Sequence, residues 1–523
     1  MATPFELFAA VLTPFIGGVL ITIAIEQLLR PRPRMATRHL SALVMHLGIW
    51  TILFALGLAI WQRPYFASGL NIAGMCLLVL VSNAKYASLQ EPFLLSDFRF
   101  FHALLRHPRL YLPFFGVLPA VACGVGLVAL CALALAGEPS VAQTAGWIAF
   151  TGLSAGIFLF GIGLCWLAAE RLAAIPVTLD PRQDVLNFGF LGSIVRYGQA
   201  ERANDPRVLA QMLSVALPPA ALHQGQALKH LIAVQCESFF DARRAFAGIN
   251  PQVLKNFDAL SRASVQSGCL DVSAWGANTV RTEFAFLSGI PPAALGVHRF
   301  NPYRKLARHG VPTIASRARQ MGYKTICVHP FDATFYDRDA VFPLLGFDEF
   351  IDAHAFTDGD RQGAYIGDLA VAAKVAALLA AATVPLFIFV ITMENHGPLH
   401  QESVAPGDEA ALYTASPPPG FDDLTIYLRH LQHTDTMLGL LRDALQANPR
   451  GGALCAYGDH VPILPRLYAH QGFADGRSDY LIWTDQAAGG ESRRVDIPPE
   501  ALAQAFLDAA GCRLATAIIP VKG

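Results

Sequence analysis

The sequence is short of charged residues. Only 15% of its 523 residues are Asp, Glu, Lys or Arg, against roughly 25% in soluble domains. The net charge is −1, which excludes a bulk electrostatic attraction to nucleic acid. Hydrophobic residues make up 53% of the chain, and their excess lies before residue 171. The shortage of charge therefore belongs to the first third of the chain.

Paired cysteines are also lacking. The nine cysteines form no C-x-x-C pair, and five of them lie after residue 230, an odd number that argues against a full disulfide framework. We do not expect a cleavable signal peptide, because no basic segment precedes the first apolar stretch and no clear cleavage site follows it.

Long apolar runs are what the first third does contain. Five of them have about the 17–25 residues that a bilayer-crossing helix needs, at 5–27, 40–61, 65–83, 110–136 and 146–169. The sequence therefore predicts a transmembrane domain of about five helices over residues 1–170. Residues 85–111 mix aromatic, apolar and basic side chains and are predicted to lie in the membrane interface, with an ordinary loop as the alternative.

The loop charges give a conflicting orientation. Lys and Arg residues cluster at 30–38 and 85–109, after the first and third spans. Counted literally, the positive-inside rule places the N-terminus outside and, with five spans, the C-terminal domain in the cytoplasm. If the segment 85–109 lies on the outer lipid surface, its Lys and Arg residues should not be counted as cytoplasmic. The Lys and Arg cluster at 30–38 is not explained in this way.

A different pattern follows a predicted connector with interfacial helices, residues 171–225. Over 226–523 short apolar runs alternate with longer helical stretches, which is typical of an α/β domain with a mostly parallel central sheet. The predicted strands are 230–236, 324–330, 385–393, 452–458 and 479–485. Helices are predicted at 364–382 and 422–446, and a loop at 403–420.

Polar residues follow these predicted strands at their C-terminal ends, where open α/β sheets bind ligands. Glu237 follows the first strand, Asp459 and His460 follow a later one, and His329 and residues 394–396 come between. Two carboxylates and an imidazole suit Mn²⁺, Mg²⁺ or Zn²⁺. Taken singly, each of these residues could instead be structural. The H-T-D segment at 433–435, inside a predicted helix, is predicted to be structural.

A hydroxyl residue stands at the start of a further predicted helix. The loop before Thr279 leads into the segment T-V-R-T-E-F. A helix N-terminus attracts anions, so Thr279 is well placed to attack a phosphate. The alternative is that Asn278 or Thr279 only caps the helix. Thr282 is a second hydroxyl nearby and the weaker candidate.

Five segments in one order carry a family resemblance: VQCESFFD, GANTVRTEFAFLSGI, ATFYDRDAVFPLLGFDEF, ITMENHGPLH and AYGDH. Together they resemble the lipoteichoic acid synthases and related phosphoglycerol transferases of the alkaline phosphatase–sulfatase superfamily, over roughly residues 230–485. The resemblance implies that Thr279 is the nucleophile. It also implies a divalent metal, Mn²⁺ in first place and Mg²⁺ or Zn²⁺ as alternatives, held by Glu237, Thr279, Asp459 and His460.

The resemblance also implies substrate contacts. Tyr336, where the family often has Trp, and Arg338 would hold the glycerol phosphate, and a guanidinium can clamp a phosphate in bidentate fashion. His396 would contact the phosphoglycerol group. Val461 stands where the family usually has Gly. The implied reaction moves phosphoglycerol from a phosphatidylglycerol-type lipid to a periplasmic or surface glycan or a polyglycerolphosphate chain, by a domain facing outward from the cytoplasmic (inner) membrane.

Other functions stay open at this point. A phosphoethanolamine transferase shares the fold and the threonine strategy, and a phosphodiesterase would use water as acceptor. A membrane scaffold without activity and a transporter using His46 in the second span are further alternatives. Sulfatase activity itself is not expected, because the chain has no Cys/Ser-x-Pro-x-Arg segment.

Overall fold

The structure is a computed structural model that describes residues 4–99, 117–216, 228–486 and 492–512. The chain divides into two compact units, residues 1–203 and 204–523. The boundary falls inside the segment that the sequence suggests as a connector, of which residues 217–225 lie outside the described ranges.

Unit 1 is helical throughout its described residues. Its helices are α1 Pro4–Glu26, α2 Leu40–Trp61, α3 Pro64–Leu89, α4 Val117–Gly137, α5 Val141–Ala145, α6 Trp147–Ala173 and α7 Pro181–Ala203. Four of them, α1, α2, α3 and α6, are long and apolar enough to cross a membrane. The predicted span 110–136 begins outside the described residues, and its described part forms α4. The predicted interfacial segment 85–111 is likewise described only to residue 99.

A buried ion pair joins three of these helices. Arg38, just before α2, binds the carboxylate of Glu26 at the end of α1, and both side chains are fully buried. The backbone N–H of Phe190 in α7 donates to the same carboxylate at 2.6 Å. Gly189 has a left-handed φ of 68°, and a Cβ there would come within 2.5 Å of the Arg38 guanidinium. His46 lies 3.6 Å from Glu26 and therefore belongs to this packing cluster.

Unit 2 is built on an eight-stranded sheet with the strand order β10-β2-β9-β8-β1-β7-β3-β4. The strands are β1 His230–Cys236, β2 Gln266–Leu270, β3 Lys324–Val328, β4 Glu349–Ile351, β7 Leu386–Ile391, β8 Gly452–Gly458, β9 Ser478–Thr484 and β10 Arg493–Arg494, and β5 Arg361–Gln362 pairs with β6 Tyr365–Ile366 in a separate hairpin. Only β9 runs antiparallel to its neighbours, β2 and β8. The predicted mostly parallel sheet is confirmed.

Helices cover both faces of this sheet. The helices of unit 2 are α8 Pro206–Ala216, α9 Lys255–Ala263, α10 Thr279–Ser288, α11 Ile314–Gln320, α12 Arg338–Val341, α13 Asp368–Ala380, α14 Asp408–Leu412, α15 Asp422–Ala447, α16 Pro465–Gln471 and α17 Pro499–Ala509. Alternate residues of β1 point to opposite faces. Ile232 and Val234 enter the core shared with α13 and α15, and Leu231 and Ala233 enter the core shared with α10 and α17. Burial on both faces explains why β1 reads as one apolar run.

Several short elements of the fold differ from the prediction. β2, β4 and β10 were not predicted, because none of them is a continuous apolar run. The predicted loop 403–420 contains the five-residue helix α14. The H-T-D segment is structural in part, as predicted: Asp435 accepts hydrogen bonds from the backbone N–H groups of Asn256, at 3.1 Å, and Phe257, at 2.7 Å.

This anchoring predicts a stability effect. Asp435→Ala leaves both backbone N–H groups without their acceptor, and each such loss costs about 1–3 kcal/mol. We expect the full chain in detergent to melt roughly 5–10 °C lower. Leu440→Ala, at a position on the same helix that is 47% exposed, should change stability by no more than about 0.5 kcal/mol. Equal shifts of the melting temperatures of the two variants would contradict a structural role for Asp435.

Candidate functional site

Strand register brings the predicted ligands together. β1 pairs in parallel with β8 up to Cys236 and Gly458, the last residue of each strand. The next residues along the chain, Glu237 and Asp459, therefore leave the sheet side by side. A side chain at position 458 has no room, because a Cβ would lie 1.8 Å from the carbonyl oxygen of Phe239. The edge where these strands end thus carries two neighbouring carboxylates.

Glu237, Asp459 and His460 form a compact buried group. One ligand atom from each lies within 4.8 Å of the other two, and all three residues are buried. His460 Nε2 is 3.2 Å from Asp459 Oδ2 and 3.7 Å from Glu237 Oε1. The structure thus brings together three of the four residues predicted to bind metal.

The hydrogen bonds around this group show that it fits a cation. The Nδ1 of His460 lies 3.1 Å from the carbonyl oxygen of Val461, so Nδ1 donates to that carbonyl and Nε2 is the ring nitrogen that faces the carboxylates. Among the described residues, the buried Asp459 Oδ2 has no hydrogen-bond donor. Three electron-pair donors that face each other in a buried site are the arrangement that a divalent cation satisfies.

The electrostatics agree with the geometry. Burial and the neighbouring Asp459 carboxylate raise the pKa of Glu237 to about 8, while His460, Ser238 and Arg338 act in the opposite direction. Two carboxylates at close range resist joint ionisation. A bound cation would remove that repulsion.

Thr279 is the first residue of α10 and is half-buried. Within the described part of the chain, the Asn278 side chain makes no capping hydrogen bond, so capping does not explain that residue. One turn later, the Thr282 hydroxyl donates to the carbonyl oxygen of Asp459 at 2.7 Å. Residues three apart share a helix face, so Thr279 lies on the face of α10 that is tied to Asp459. The hydroxyl of Thr282 is occupied by this bond.

Backbone strain gathers at the same residues. The described non-glycine residues of unit 2 with left-handed φ are Ser238, Asn278, Tyr336 and Asp337, with φ values of 55°, 68°, 59° and 55°. Ser238 follows Glu237, Asn278 precedes Thr279, and Asp337 precedes Arg338. Such conformations cost about 1–3 kcal/mol each and cluster at functional sites.

Arg338 differs from the expectation of an open phosphate clamp. It is 1% exposed, and its Nε and Nη2 bind the Glu283 carboxylate at 3.1 and 2.8 Å. Its Nη1 lies 3.2 Å from His329 Nε2. The bidentate edge of the guanidinium is therefore occupied by Glu283, and only single N–H groups on Nη1 and Nη2 are left for a phosphate.

Tyr336 and His396 contact groups outside the metal-ligand group. The Tyr336 ring stacks 5.3 Å from the Arg338 guanidinium, and burial raises the pKa of Tyr336 to about 12. The Nδ1 of His396 is 2.7 Å from the carbonyl oxygen of Gly397, so Nδ1 holds the proton and Nε2 is a hydrogen-bond acceptor. Burial lowers the pKa of His396. The histidine is therefore neutral near pH 7.

Two residues that contact predicted site residues were not predicted from the sequence. Tyr365, in the β5–β6 hairpin, packs edge-on to His396 with ring centroids 5.5 Å apart. Glu283 is fully buried on α10. A signal for Glu283 was present, since a lone acidic residue among the apolar residues of T-E-F-A-F-L must find a cationic partner. No comparable signal marked Tyr365.

The metal-ligand geometry makes a direct prediction. Asp459→Asn replaces a charged ligand oxygen by an amide of the same size. We expect the full chain to bind Mn²⁺ more than about a hundredfold more weakly, since loss of an outer-shell group alone costs about 10–100-fold. The control is Asp435→Asn. Asp435 is a buried carboxylate whose hydrogen bonds within the described residues come from residues 256 and 257, and this change should leave Mn²⁺ affinity unchanged. Equal Mn²⁺ affinities of the two variants in equilibrium dialysis would refute the site.

Two proteins of Rhizobium meliloti are similar in sequence to this chain. The chain is 27% identical over 452 residues to the capsular polysaccharide biosynthesis protein RkpI of Rhizobium meliloti, covering 83% of this chain and 80% of the relative. It is 25% identical over 313 residues to a putative cyclic β-1,2-glucan modification protein of the same organism, covering 59% of this chain and 48% of that relative.

A solved integral membrane protein is similar in fold over most of the chain. The lipooligosaccharide phosphoethanolamine transferase A of Neisseria meningitidis matches 97% of this chain and 95% of its own, with a TM-score of 0.54 and 12% identity. With the four apolar helices, this likeness indicates a membrane protein. A family model described as Sulfatase matches residues 229–512, more than half of the chain. The protein therefore belongs to the sulfatase family, within the alkaline phosphatase–sulfatase superfamily that its motifs indicated.

Proposed function

We propose that the protein transfers phosphoglycerol from a phosphatidylglycerol-type lipid to a glycan hydroxyl, through a covalent phosphoglycerol–Thr279 intermediate. The observation that carries the proposal is the convergence of Glu237, Asp459 and His460 Nε2 beside the helix that begins at Thr279. This arrangement supplies the parts of a phosphoryl transferase: a cation site, a hydroxyl and a helix N-terminus.

The first half of the reaction uses the hydroxyl at the start of α10. Thr279 Oγ forms a bond to phosphorus while the bond from phosphorus to the diacylglycerol oxygen breaks. Thr279 gives up its proton, and the diacylglycerol oxygen takes up a proton. A divalent cation held by Glu237, Thr279, Asp459 and His460, Mn²⁺ in our proposal, would acidify the threonine hydroxyl and neutralise charge on the phosphate oxygens. The N-terminus of α10 adds positive potential.

The second half passes the group to the acceptor. The acceptor hydroxyl oxygen forms the new bond to phosphorus, the bond from Thr279 to phosphorus breaks, and Thr279 regains a proton. We assign His396 to receive the acceptor's proton, because its Nδ1–H is bound to Gly397 and its Nε2 is an acceptor. Tyr336 forms a wall for the glycerol moiety, and Arg338 offers the N–H groups that Glu283 and His329 leave to the phosphate.

The glycan acceptor is supported by the relatives' names, which refer to a capsular polysaccharide and to a cyclic glucan. The lipid donor is supported by the motif resemblance and by the apolar helices, since a site tethered to the bilayer meets lipid head groups readily. Phosphoethanolamine transfer is the second candidate, because the solved membrane protein of the same fold is named for it. The F-Y-D-R segment at 335–338 favours phosphoglycerol.

Donor turnover tests the nucleophile. With labelled phosphatidylglycerol and Mn²⁺, the wild-type full chain should release diacylglycerol, and Thr279→Ala should lose at least about a thousandfold in rate. Thr282→Ser keeps the hydroxyl that binds Asp459 and should stay within a few fold of wild type. Equal release by Thr279→Ala and wild type would remove Thr279 from its role, and release from phosphatidylethanolamine alone would select the second candidate.

Orientation is a separate prediction. We propose that unit 2 faces the periplasm or the cell exterior, as the resemblance implies, although the Lys and Arg clusters at 30–38 and 85–109 favour the opposite orientation. An alkaline phosphatase reporter fused after residue 523 should be active in whole cells, because it folds only outside the cytoplasm. A fluorescent cytoplasmic reporter at the same position, with an inactive phosphatase fusion, would contradict this topology.

A further inference from the structure

A buried polar network is centred on Glu283, whose chain neighbour Thr282 is hydrogen-bonded to Asp459. Its carboxylate accepts hydrogen bonds from Arg338 Nε and Nη2, from the hydroxyl of Tyr303 at 2.8 Å and from Gln235 Nε2 at 3.0 Å. The side chains of Glu283 and Arg338 are 0% and 1% exposed. The carboxylate therefore accepts four hydrogen bonds, from three residues in different parts of the fold.

The network continues through His329. Arginine only donates, so the contact between Arg338 Nη1 and His329 Nε2 requires Nε2 to accept. The other nitrogen, Nδ1, then donates to the carbonyl oxygen of Ile391 at 3.1 Å. Burial and the adjacent guanidinium keep the pKa of His329 well below its usual value. Arg338 is thus held on two sides, by a carboxylate and by a neutral imidazole of fixed tautomer.

Chain neighbours and partners of Glu283 connect it with components of the proposed site. Thr282, the preceding residue, donates to the carbonyl oxygen of Asp459, and Thr279 begins the same helix. Gln235 lies two residues before Glu237 on β1. One carboxylate therefore links the nucleophile helix, the ligand strand and the cation predicted to meet phosphate.

Stability alone does not account for such a pair. A buried ion pair loses hydration of both charges, and well-packed apolar side chains of similar volume are often as stable or more stable. A buried ion pair can hold a charge in a fixed position, which apolar side chains cannot do. Near a proposed reaction centre, such a fixed charge can serve the reaction.

We propose that Glu283 is a positioning residue that orients Arg338 toward the transferred phosphate, an inference that rests on the proposed phosphoryl-transfer function. Arginine has five N–H groups, and the contacts with Glu283 and His329 use three of them. The two that are left, one on each terminal nitrogen, are aimed by the fixed plane of the guanidinium. Without the Glu283 charge, that plane is no longer held.

Inorganic phosphate is the probe for this inference, because it carries the group that Arg338 would meet and no lipid head group. The experiment measures how tightly the Mn²⁺-loaded full chain in detergent binds inorganic phosphate. Four proteins are compared: wild type, Glu283→Gln, Arg338→Lys and the double variant. We expect Glu283→Gln to keep stoichiometric Mn²⁺ and to bind phosphate about tenfold more weakly. In the Arg338→Lys background the same change should have no further effect, because coupled residues are not additive. Tyr303→Phe removes a different donor to Glu283 and should bind phosphate as wild type does.

Unchanged phosphate affinity in Glu283→Gln, or a loss that adds in full to that of Arg338→Lys, would overturn the positioning role. If Glu283→Gln fails to fold, Glu283→Asp, which keeps the charge but withdraws the carboxylate by one methylene, is judged by the same criteria. Phosphate binding is independent of lipid turnover. A chain that binds phosphate in this pattern but does not cleave phosphatidylglycerol would refute the proposed donor and leave the role of Glu283 standing.

Discussion

The constraint on which the site depends is the meeting of three electron-pair donors in a buried space at the ends of two adjacent parallel strands. In-register pairing of β1 with β8 places Glu237 and Asp459 side by side, and the bond between His460 Nδ1 and the carbonyl of Val461 turns Nε2 toward them. Such an arrangement is repulsive without a cation. The rest of unit 2 holds these three groups in place.

Unit 2 combines a rigid central sheet with strained backbone conformations next to the predicted site residues. The sheet is buried on both faces, so the strand ends cannot shift independently. At the rim, four non-glycine residues, Ser238, Asn278, Tyr336 and Asp337, adopt left-handed backbone conformations. Each one is the neighbour, along the chain, of a predicted site residue or is itself one. The free energy stored in these conformations is offset by the packing of the sheet.

The sequence was informative where one local signal decides the outcome. Strands β1 and β8 match the predicted runs because a strand buried on both faces is continuously apolar, and the polar residues that end them mark the ligand edge. β2 and β4 carry no such run, and their position depends on pairing partners far along the chain. The apolar helices of unit 1 were evident from length and composition alone.

The part of the site that could not be predicted depends on long-range pairing. Arg338 was expected to present its bidentate edge to phosphate, but Glu283, 55 residues away, occupies that edge. Because Glu283 occupies that edge, Arg338 is a charge held in a fixed position instead of an open phosphate clamp. Tyr365 reaches His396 from a short hairpin whose position only the folded chain determines. Residue types and the order of the motifs indicated the chemistry of the site. Which side chains contact each other could be determined only from the three-dimensional structure.

The most direct measurement is an experimental structure of the full chain with Mn²⁺, using anomalous scattering to locate the ion. The account predicts one strong peak at coordination distance from the carboxylates of Glu237 and Asp459, from His460 Nε2 and from Thr279 Oγ. A saturated crystal with no peak among these four groups, or with Thr279 turned away from an ion held by the other three, would contradict it.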